Sequence, residues 1–163
     1  MEPVLVSQEG GVLRVTLNRP ERLNAFNPAL HRGLAAAMAR AESEAAVRCV
    51  LVTGAGRGFC AGQDLADAEI RTDGPMDLGA GLEAWYNPLV QRMRALEKPI
   101  VCAVNGVAAG AGANFAFACD IVLAARSASF IQAFVKIGLV PDCGGSYFLP
   151  RLAGTQRAMA MAL

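Results

Sequence analysis

Pro99-Ile100-Val101-Cys102-Ala103-Val104-Asn105-Gly106-Val107-Ala108-Ala109-Gly110-Ala111-Gly112-Ala113-Asn114-Phe115-Ala116-Phe117-Ala118-Cys119-Asp120 carries no charge from Pro99 to Cys119, 21 residues. That length is enough to raise the question of a membrane span. Gly106, Gly110, Gly112, Asn105 and Asn114 interrupt it, and Asp120 follows at once. Those polar groups are costly in lipid. A strand over Ile100–Val104, a small-residue turn, a short buried helix over Ala111–Cys119 and a strand over Ile121–Ala125 account for the pattern.

The same alternation extends outward. Val12–Leu17 reads as a strand after Gly10-Gly11, stopped by Asn18-Arg19-Pro20. Asn27-Pro28 opens an Ala-rich helix to about Glu44, with Leu30, Leu34, Ala37, Met38 and Ala41 on one face. Val47–Val52 is a further strand, and Gly54–Gly62 a glycine-rich loop. Asp64–Gly81 is polar and irregular, with Thr72-Asp73-Gly74-Pro75 as a break. Leu82–Leu96 predicts one helix ending at Glu97-Lys98-Pro99. Phe130–Phe134 predicts a short strand, Asp142–Leu152 a helix after Pro141, and Thr155–Leu163 an apolar helix. Strands alternating with helices place the chain in the α/β class. No internal repeat is visible.

Composition narrows function. The 163 residues are 54% hydrophobic and 18% charged, with a net charge of +1. That excludes intrinsic disorder and gives no basic patch for nucleic acid or for an anionic membrane. The five cysteines (Cys49, Cys60, Cys102, Cys119, Cys143) lack C-x-x-C spacing and sit in apolar or glycine-rich segments. They read as buried thiols of a cytoplasmic protein, not as a zinc site or a disulfide framework. Met1–Gln8 has no basic stretch before an apolar run and is not expected to be a signal peptide. His31, the one histidine, is expected at the surface or an edge.

Three segments could carry chemistry. Thr53-Gly54-Ala55-Gly56-Arg57-Gly58-Phe59-Cys60 nearly matches the glycine turn of a nicotinamide-binding fold, but Cys60 replaces its last glycine. Ala61-Gly62-Gln63-Asp64, a second loop signal, follows where a helix should begin. Neither tyrosine has a lysine four residues on. Asn105–Asn114 is a second small-residue loop between a strand and a helix. Such a pair of loops can present backbone N–H groups to a developing oxyanion, or can serve close strand–helix packing. In the third, Gly138-Leu139-Val140-Pro141-Asp142-Cys143-Gly144-Gly145, Asp142 has no charged residue within five positions. It suits a helix N-terminus, or a catalytic acid–base whose pKa burial would raise.

These segments in this order resemble the crotonase superfamily, the enoyl-CoA hydratase/isomerase family, from about Val12 to Leu163. Asn18-Arg19-Pro20-Glu21-Arg22-Leu23-Asn24-Ala25-Phe26 is similar to its first CoA-contacting loop. Gly58-Phe59-Cys60-Ala61-Gly62-Gln63-Asp64-Leu65 is similar to its first oxyanion motif, and Asn105–Asn114 with Cys119-Asp120-Ile121 to its second. The resemblance implies a ββα spiral as a single acyl-CoA-binding domain over residues 1–163. It also implies further helices beyond Leu163, and a homotrimer or dimer of trimers at full length. It assigns the backbone N–H groups of Gln63 and Ala111 to an oxyanion hole. It assigns Arg22, Asn24, Ala25, Ala61, Asp64, Leu65, Trp85 and Phe134 to the substrate, and Asp142 to proton transfer. Hydratases of the family carry glutamates where this chain has Asn114 and Phe134, which disfavours hydration. Trp85-Tyr86-Asn87-Pro88-Leu89-Val90 and the Asp142 segment are similar to an isomerase branch that rearranges aryl-ring epoxides of acyl-CoA or shifts double bonds. The expected substrate is an acyl-CoA thioester, with coenzyme A as part of it. No metal or separate cofactor is implied, and a non-catalytic acyl-CoA binder is the alternative.

Overall fold

A computed structural model describes residues 2–66 and 78–163. The Thr72-Asp73-Gly74-Pro75 break lies outside the described residues. β1 (Val4–Glu9) and β2 (Val12–Leu17) form an antiparallel hairpin. β3 (Cys49–Gly54), β5 (Ile100–Val104) and β7 (Ile121–Ala124) then add in parallel, in the order β1-β2-β3-β5-β7. β1 is an element the sequence analysis does not anticipate. Its residues are mostly exposed, so it has little apolar alternation to detect.

A second sheet comes from inside the glycine loops. β4 (Gly58–Cys60), β6 (Val107–Ala109) and β8 (Ser129–Ile131) pair in parallel. Each follows a strand of the first sheet within a few residues: β3 to β4, β5 to β6, β7 to β8. A strand in one sheet, a strand in the other and then helical structure recur three times. This is the expected ββα spiral. The repeat lies in topology and leaves no residue-level period, because strands of three residues carry too few side chains to show one.

The helices differ from expectation in detail. α1 (Pro28–Ser43) starts as predicted: Asn27 Oδ1 accepts the Leu30 N–H at 2.9 Å, and Pro28 holds the first turn. Its predicted face is buried, with Leu30, Leu34, Met38 and Ala41 each fully covered. Burying each of the large side chains contributes roughly 1.5–3 kcal/mol. The predicted helix Leu82–Leu96 is two pieces, a π-helical turn (Leu82–Tyr86) and α3 (Asn87–Ala95), and a short α2 (Leu78–Gly81) runs into it from the segment expected to be irregular. Pro88 has no N–H to give to the carbonyl four residues back. The Asn87 N–H bonds instead to the Leu82 carbonyl, five residues back, and the helix widens there. The charge-free segment divides into β5, β6 and α4 (Ala111–Phe117). No helix among the described residues is long and apolar enough to cross a membrane. α5 (Gly145–Ala153) and α6 (Thr155–Ala162) complete the described chain.

The glycine turn between β3 and β4 is filled by asparagine side chains. Asn24 Nδ2 donates to the carbonyls of Ala55 and Gly58, both at 2.9 Å. Asn105 Oδ1 accepts the Gly54 N–H at 3.1 Å, and its Nδ2 donates to the Gly56 carbonyl at 3.0 Å. The turn runs into a strand, where a dinucleotide fold requires a helix N-terminus, so the nicotinamide reading fails on geometry.

His31 corrects another expectation. It is buried, not at the surface. Its ring stacks on Phe26 at 4.9 Å, meets Tyr86 edge-on at 4.5 Å and lies 5.8 Å from Trp85. Neither ring nitrogen finds a hydrogen-bond partner among the described residues. Burial lowers its pKa to about 4.

Two outcomes are expected. Asn24→Ala removes three hydrogen bonds of a fully buried side chain at a left-handed position (φ 57°) and should cost about 2–4 kcal/mol in urea unfolding. For His31 the unfolded state binds the extra proton between pH 6.5 and about 4, so stability falls as pH drops through that window. His31→Phe should therefore lose less stability than the parent between pH 7.5 and 5, measured as the change in Tm.

Candidate active site

Beyond β4 the chain passes through Ala61-Gly62-Gln63-Asp64 alongside the loop 23–26. The Ala61 N–H bonds the Leu23 carbonyl at 3.0 Å. The Phe26 N–H bonds the Gly62 carbonyl at 2.7 Å, and the Asp64 N–H bonds the Phe26 carbonyl at 2.9 Å. In this parallel bridge between Phe26 and Gln63, the bonds come from Gly62 and Asp64. The N–H of Gln63 itself points to the opposite side.

The start of α4 lies against Gly62. Gly62 has φ +90°, and a Cβ there would sit 2.9 Å from the Ala109 carbonyl oxygen and 3.6 Å from the Ala111 nitrogen. Glycine is required both for the conformation and for this approach. Ala111 is the first residue of α4, so its N–H has no acceptor within the helix. Two backbone N–H groups, one unspent by its strand bridge and one unspent by its helix, thus lie on adjoining segments. That is the donor arrangement an oxyanion requires.

Tyr86 and Asp142 complete the cluster. The π-helical turn carries Tyr86, 5% exposed, whose O–H donates to Gln63 Oε1 in a short hydrogen bond. Burial, reinforced by Cys143, Asp142 and Cys60 nearby, pushes the phenol far above its usual range, so it remains a donor. Asp142 sits in the turn before α5. Its Oδ1 is buried and has no hydrogen-bond partner among the described residues. Desolvation raises its carboxyl to about 6.

The predicted helix start at Asp142 is corrected. Cys143 (φ 48°) and Gly144 (φ 75°) are left-handed, and α5 begins only at Gly145. Asp142 therefore lies ahead of the first turn.

The remaining candidates divide. Phe134 is buried, and its ring is 3.7 Å from where a Gly110 Cβ would stand, beside the start of α4. Ala25 is buried and its carbonyl accepts from Arg19 Nη1 at 2.6 Å, while Ala61 is half-buried on the same loop. Arg22 and Leu65 are exposed at the edge of the loop cluster. The Asn24 side chain is committed to the glycine turn, and Asp64 to a buried ion pair with Arg19 at 2.8 Å. Both organise the loop that carries Gln63. Trp85 turns towards α1, stacked beside His31 with the Arg32 guanidinium 5.9 Å from its ring centre. It lines a groove of about 640 Å³ between α1 and α3, on a different side from the Gln63 contact of Tyr86. Arg19, quoted above only within a loop motif, and Gln132 carry no role legible from the sequence. Both are polar residues whose buried partners lie 45 and 18 positions away, so no local pattern announces them.

Comparison with known proteins gives the family to which this fold belongs. The model of the enoyl-CoA hydratase/isomerase family matches residues 7–163, and the chain belongs to that family. It is 58% identical to the 1,2-epoxyphenylacetyl-CoA isomerase of Escherichia coli (strain K12), over 100% of this chain and 63% of that protein. A Rhodobacter capsulatus protein named "Probable enoyl-CoA hydratase" is 50% identical over 94% of this chain and 58% of its own length. A crystal structure of an enoyl-CoA hydratase/isomerase family protein from Mycobacterium abscessus superposes with a TM-score of 0.91 at 39% identity, covering 97% of this chain and 62% of that one. The chain spans about 60% of the length of these relatives.

The raised Asp142 pKa sets a stability signature. The folded state holds the proton up to about pH 6 and the unfolded state only to about 3.8, so stability falls as pH rises through that window. Asp142→Asn removes the cost. It should raise stability at pH 7.5 by about 1–2 kcal/mol, allowing for the solvent that reaches a half-buried carboxyl, and by little at pH 4. Parallel denaturant titrations at the two pH values check this.

Proposed function

We propose that this chain forms the acyl-CoA-binding and catalytic part of an isomerase. Its proposed reactions are rearrangement of a ring-epoxyphenylacetyl-CoA to the seven-membered oxepin, and double-bond shifts in unsaturated acyl-CoA. The observation that carries the reading is the single half-buried carboxyl of Asp142, raised to about 6 beside Tyr86 and the Gln63 loop. Asn114 and Phe134, neither able to transfer a proton, occupy the flanking buried positions. The name of the 58% identical relative supports the substrate class.

In this mechanism the thioester oxygen lies between the N–H groups of Gln63 and Ala111. Asp142, ionised, takes the proton next to the thioester carbonyl. The charge collects on the oxygen between the two donors, each worth roughly 2.7–4 kcal/mol in the transition state. The same carboxyl returns the proton elsewhere on the substrate, so no second group is needed to activate water. Coenzyme A arrives with the substrate, and no further cofactor enters. Arg22, the 23–25 backbone and Ala61 contact the CoA portion, and Phe134 borders the acyl group. Ile121, Leu123 and Val140 are exposed apolar side chains. They fit surface covered by further chain or by partner copies in a homotrimer or dimer of trimers in the cytoplasm.

The test is incubation with ring-epoxyphenylacetyl-CoA and, separately, a β,γ-enoyl-CoA, followed by mass spectrometry and ultraviolet absorbance. Rearrangement is expected, rising with pH through about 6 as Asp142 ionises. Asp142→Asn should lose at least about a hundredfold in kcat, as expected for a general acid–base, while still binding CoA ester. Full activity in the variant would overturn the assignment. Addition of water instead of isomerisation would favour the hydratase reading, and binding without conversion a non-catalytic acyl-CoA binder.

A further inference from the structure

We propose that Asn114 and Gln132 form a buried positioning relay that fixes the Asp142 turn; this rests on the proton-transfer role given above to Asp142. Asn114 Nδ2 donates to the backbone carbonyl of Asp142 at 2.9 Å. Gln132 Nε2 donates to Asn114 Oδ1 at 2.8 Å. The first residue is fully buried and the second is 5% exposed. Each side chain therefore exchanged water for these bonds, and losing one partner strands the other.

Three further observations place the relay at the turn. A Cβ on Gly145 would come within 2.1 Å of Asn114 Nδ2, so α5 can dock here only because Gly145 leaves the carboxamide room. The Gly145 N–H also bonds the Asp142 carbonyl, at 2.7 Å. One carbonyl oxygen is thus gripped from α4 and from α5 together. The Asp142 side chain, by contrast, has an oxygen with no hydrogen bond among the described residues. Its backbone carbonyl is held by Asn114 and Gly145.

The relay also joins separate strands of the spiral. Asn114 comes from α4, whose first residue Ala111 supplies an oxyanion donor. Gln132 follows β8, and the Gly110 N–H bonds the Ile131 carbonyl next to it at 2.8 Å. The donor at Ala111 and the base at Asp142 are therefore referenced to one another through a single carboxamide. An aliphatic side chain of similar size could neither accept from Gln132 nor donate to the Asp142 carbonyl. Asparagine at this position positions the base and takes no part in proton transfer.

Asn114→Leu keeps the volume and removes both bonds. The expected result is a tenfold or greater loss of kcat on the β,γ-enoyl-CoA with KM within about threefold of the parent. As the turn loosens and water reaches the carboxyl, the Asp142 limb of the pH–rate profile should move to lower pH. In the Asp142→Asn background, Asn114→Leu should cost little more, because its effect runs through the missing carboxyl. The Asp142 carboxyl titration, followed by carbon-13 NMR, gives a readout independent of turnover. If the parent chain rearranges neither substrate, the functional reading fails, yet a lowered Asp142 pKa in Asn114→Leu still supports the relay. An unmoved titration with unchanged kcat overturns the relay while leaving the functional reading intact. Should Asn114→Leu fail to fold, Gln132→Met tests the outer bond alone. It should shift the titration in the same direction by a smaller amount, and an unshifted titration there overturns the proposal.

Discussion

Two backbone segments, 60–63 and 109–112, run closer together than side chains at those positions would permit, and the site follows from that approach. A Cβ at Gly112 would stand 2.3 Å from the Cys60 carbonyl oxygen, and one at Gly62 would stand 2.9 Å from that of Ala109. Because both are glycine, the end of β4 lies against the start of α4. The Gln63 and Ala111 N–H groups, proposed above as oxyanion donors, belong to these two adjoining segments. Such donors need no reorganisation during reaction, which is the physical basis of oxyanion stabilisation.

The approach is held from outside by polar groups taken out of water. Asn24 and Asn105 bind the carbonyls of the β3–β4 turn, and the Arg19–Asp64 ion pair ties the first loop to the Gln63 segment. Burying such groups is tolerable only when they are fully paired. Once paired, they admit few alternative arrangements. Asp142, like His31 and Gln132, keeps a buried polar atom without a partner among the described residues. Its side chain enters a partly dry region with one oxygen unpaired, and desolvation moves its pKa towards neutrality. The asparagines and the ion pair around the glycine turn are paired, whereas this carboxyl oxygen is not.

Much of the chain was legible locally. Asn27-Pro28 and the 3.6-residue spacing of Leu30, Leu34, Met38 and Ala41 mark α1 without tertiary information, and Ile100–Val104 marks β5 by apolar β-branched content. The short strands β4 and β6 were not legible, since a three-residue strand exists only by pairing with the others, while the strand expected over Phe130–Phe134 overlaps β8 only at Phe130 and Ile131. His31 was misjudged for a related reason. In sequence it is a polar residue on an Ala-rich helix, but Phe26, Tyr86 and Trp85, from elsewhere in the chain, close around it. Trp85 and Tyr86, adjacent in sequence, part company in space. The tyrosine reaches Gln63 while the tryptophan stacks towards α1.

The α/β class, α1 and the longer strands β2, β3, β5 and β7, the two glycine loops and Asp142 as an isolated acid were readable from the residues alone, because these depend on periodicity, on small residues and on the absence of neighbouring charge. Family membership was likewise present in the order of the motifs. Only the tertiary structure decided that the loops face one another, that Asn24 and Asp64 brace the loop, and that Asn114 reaches the Asp142 carbonyl. Those outcomes depend on contacts between residues 18 to 52 positions apart. Such contacts form when the spiral closes and water leaves, and no local pattern encodes that event.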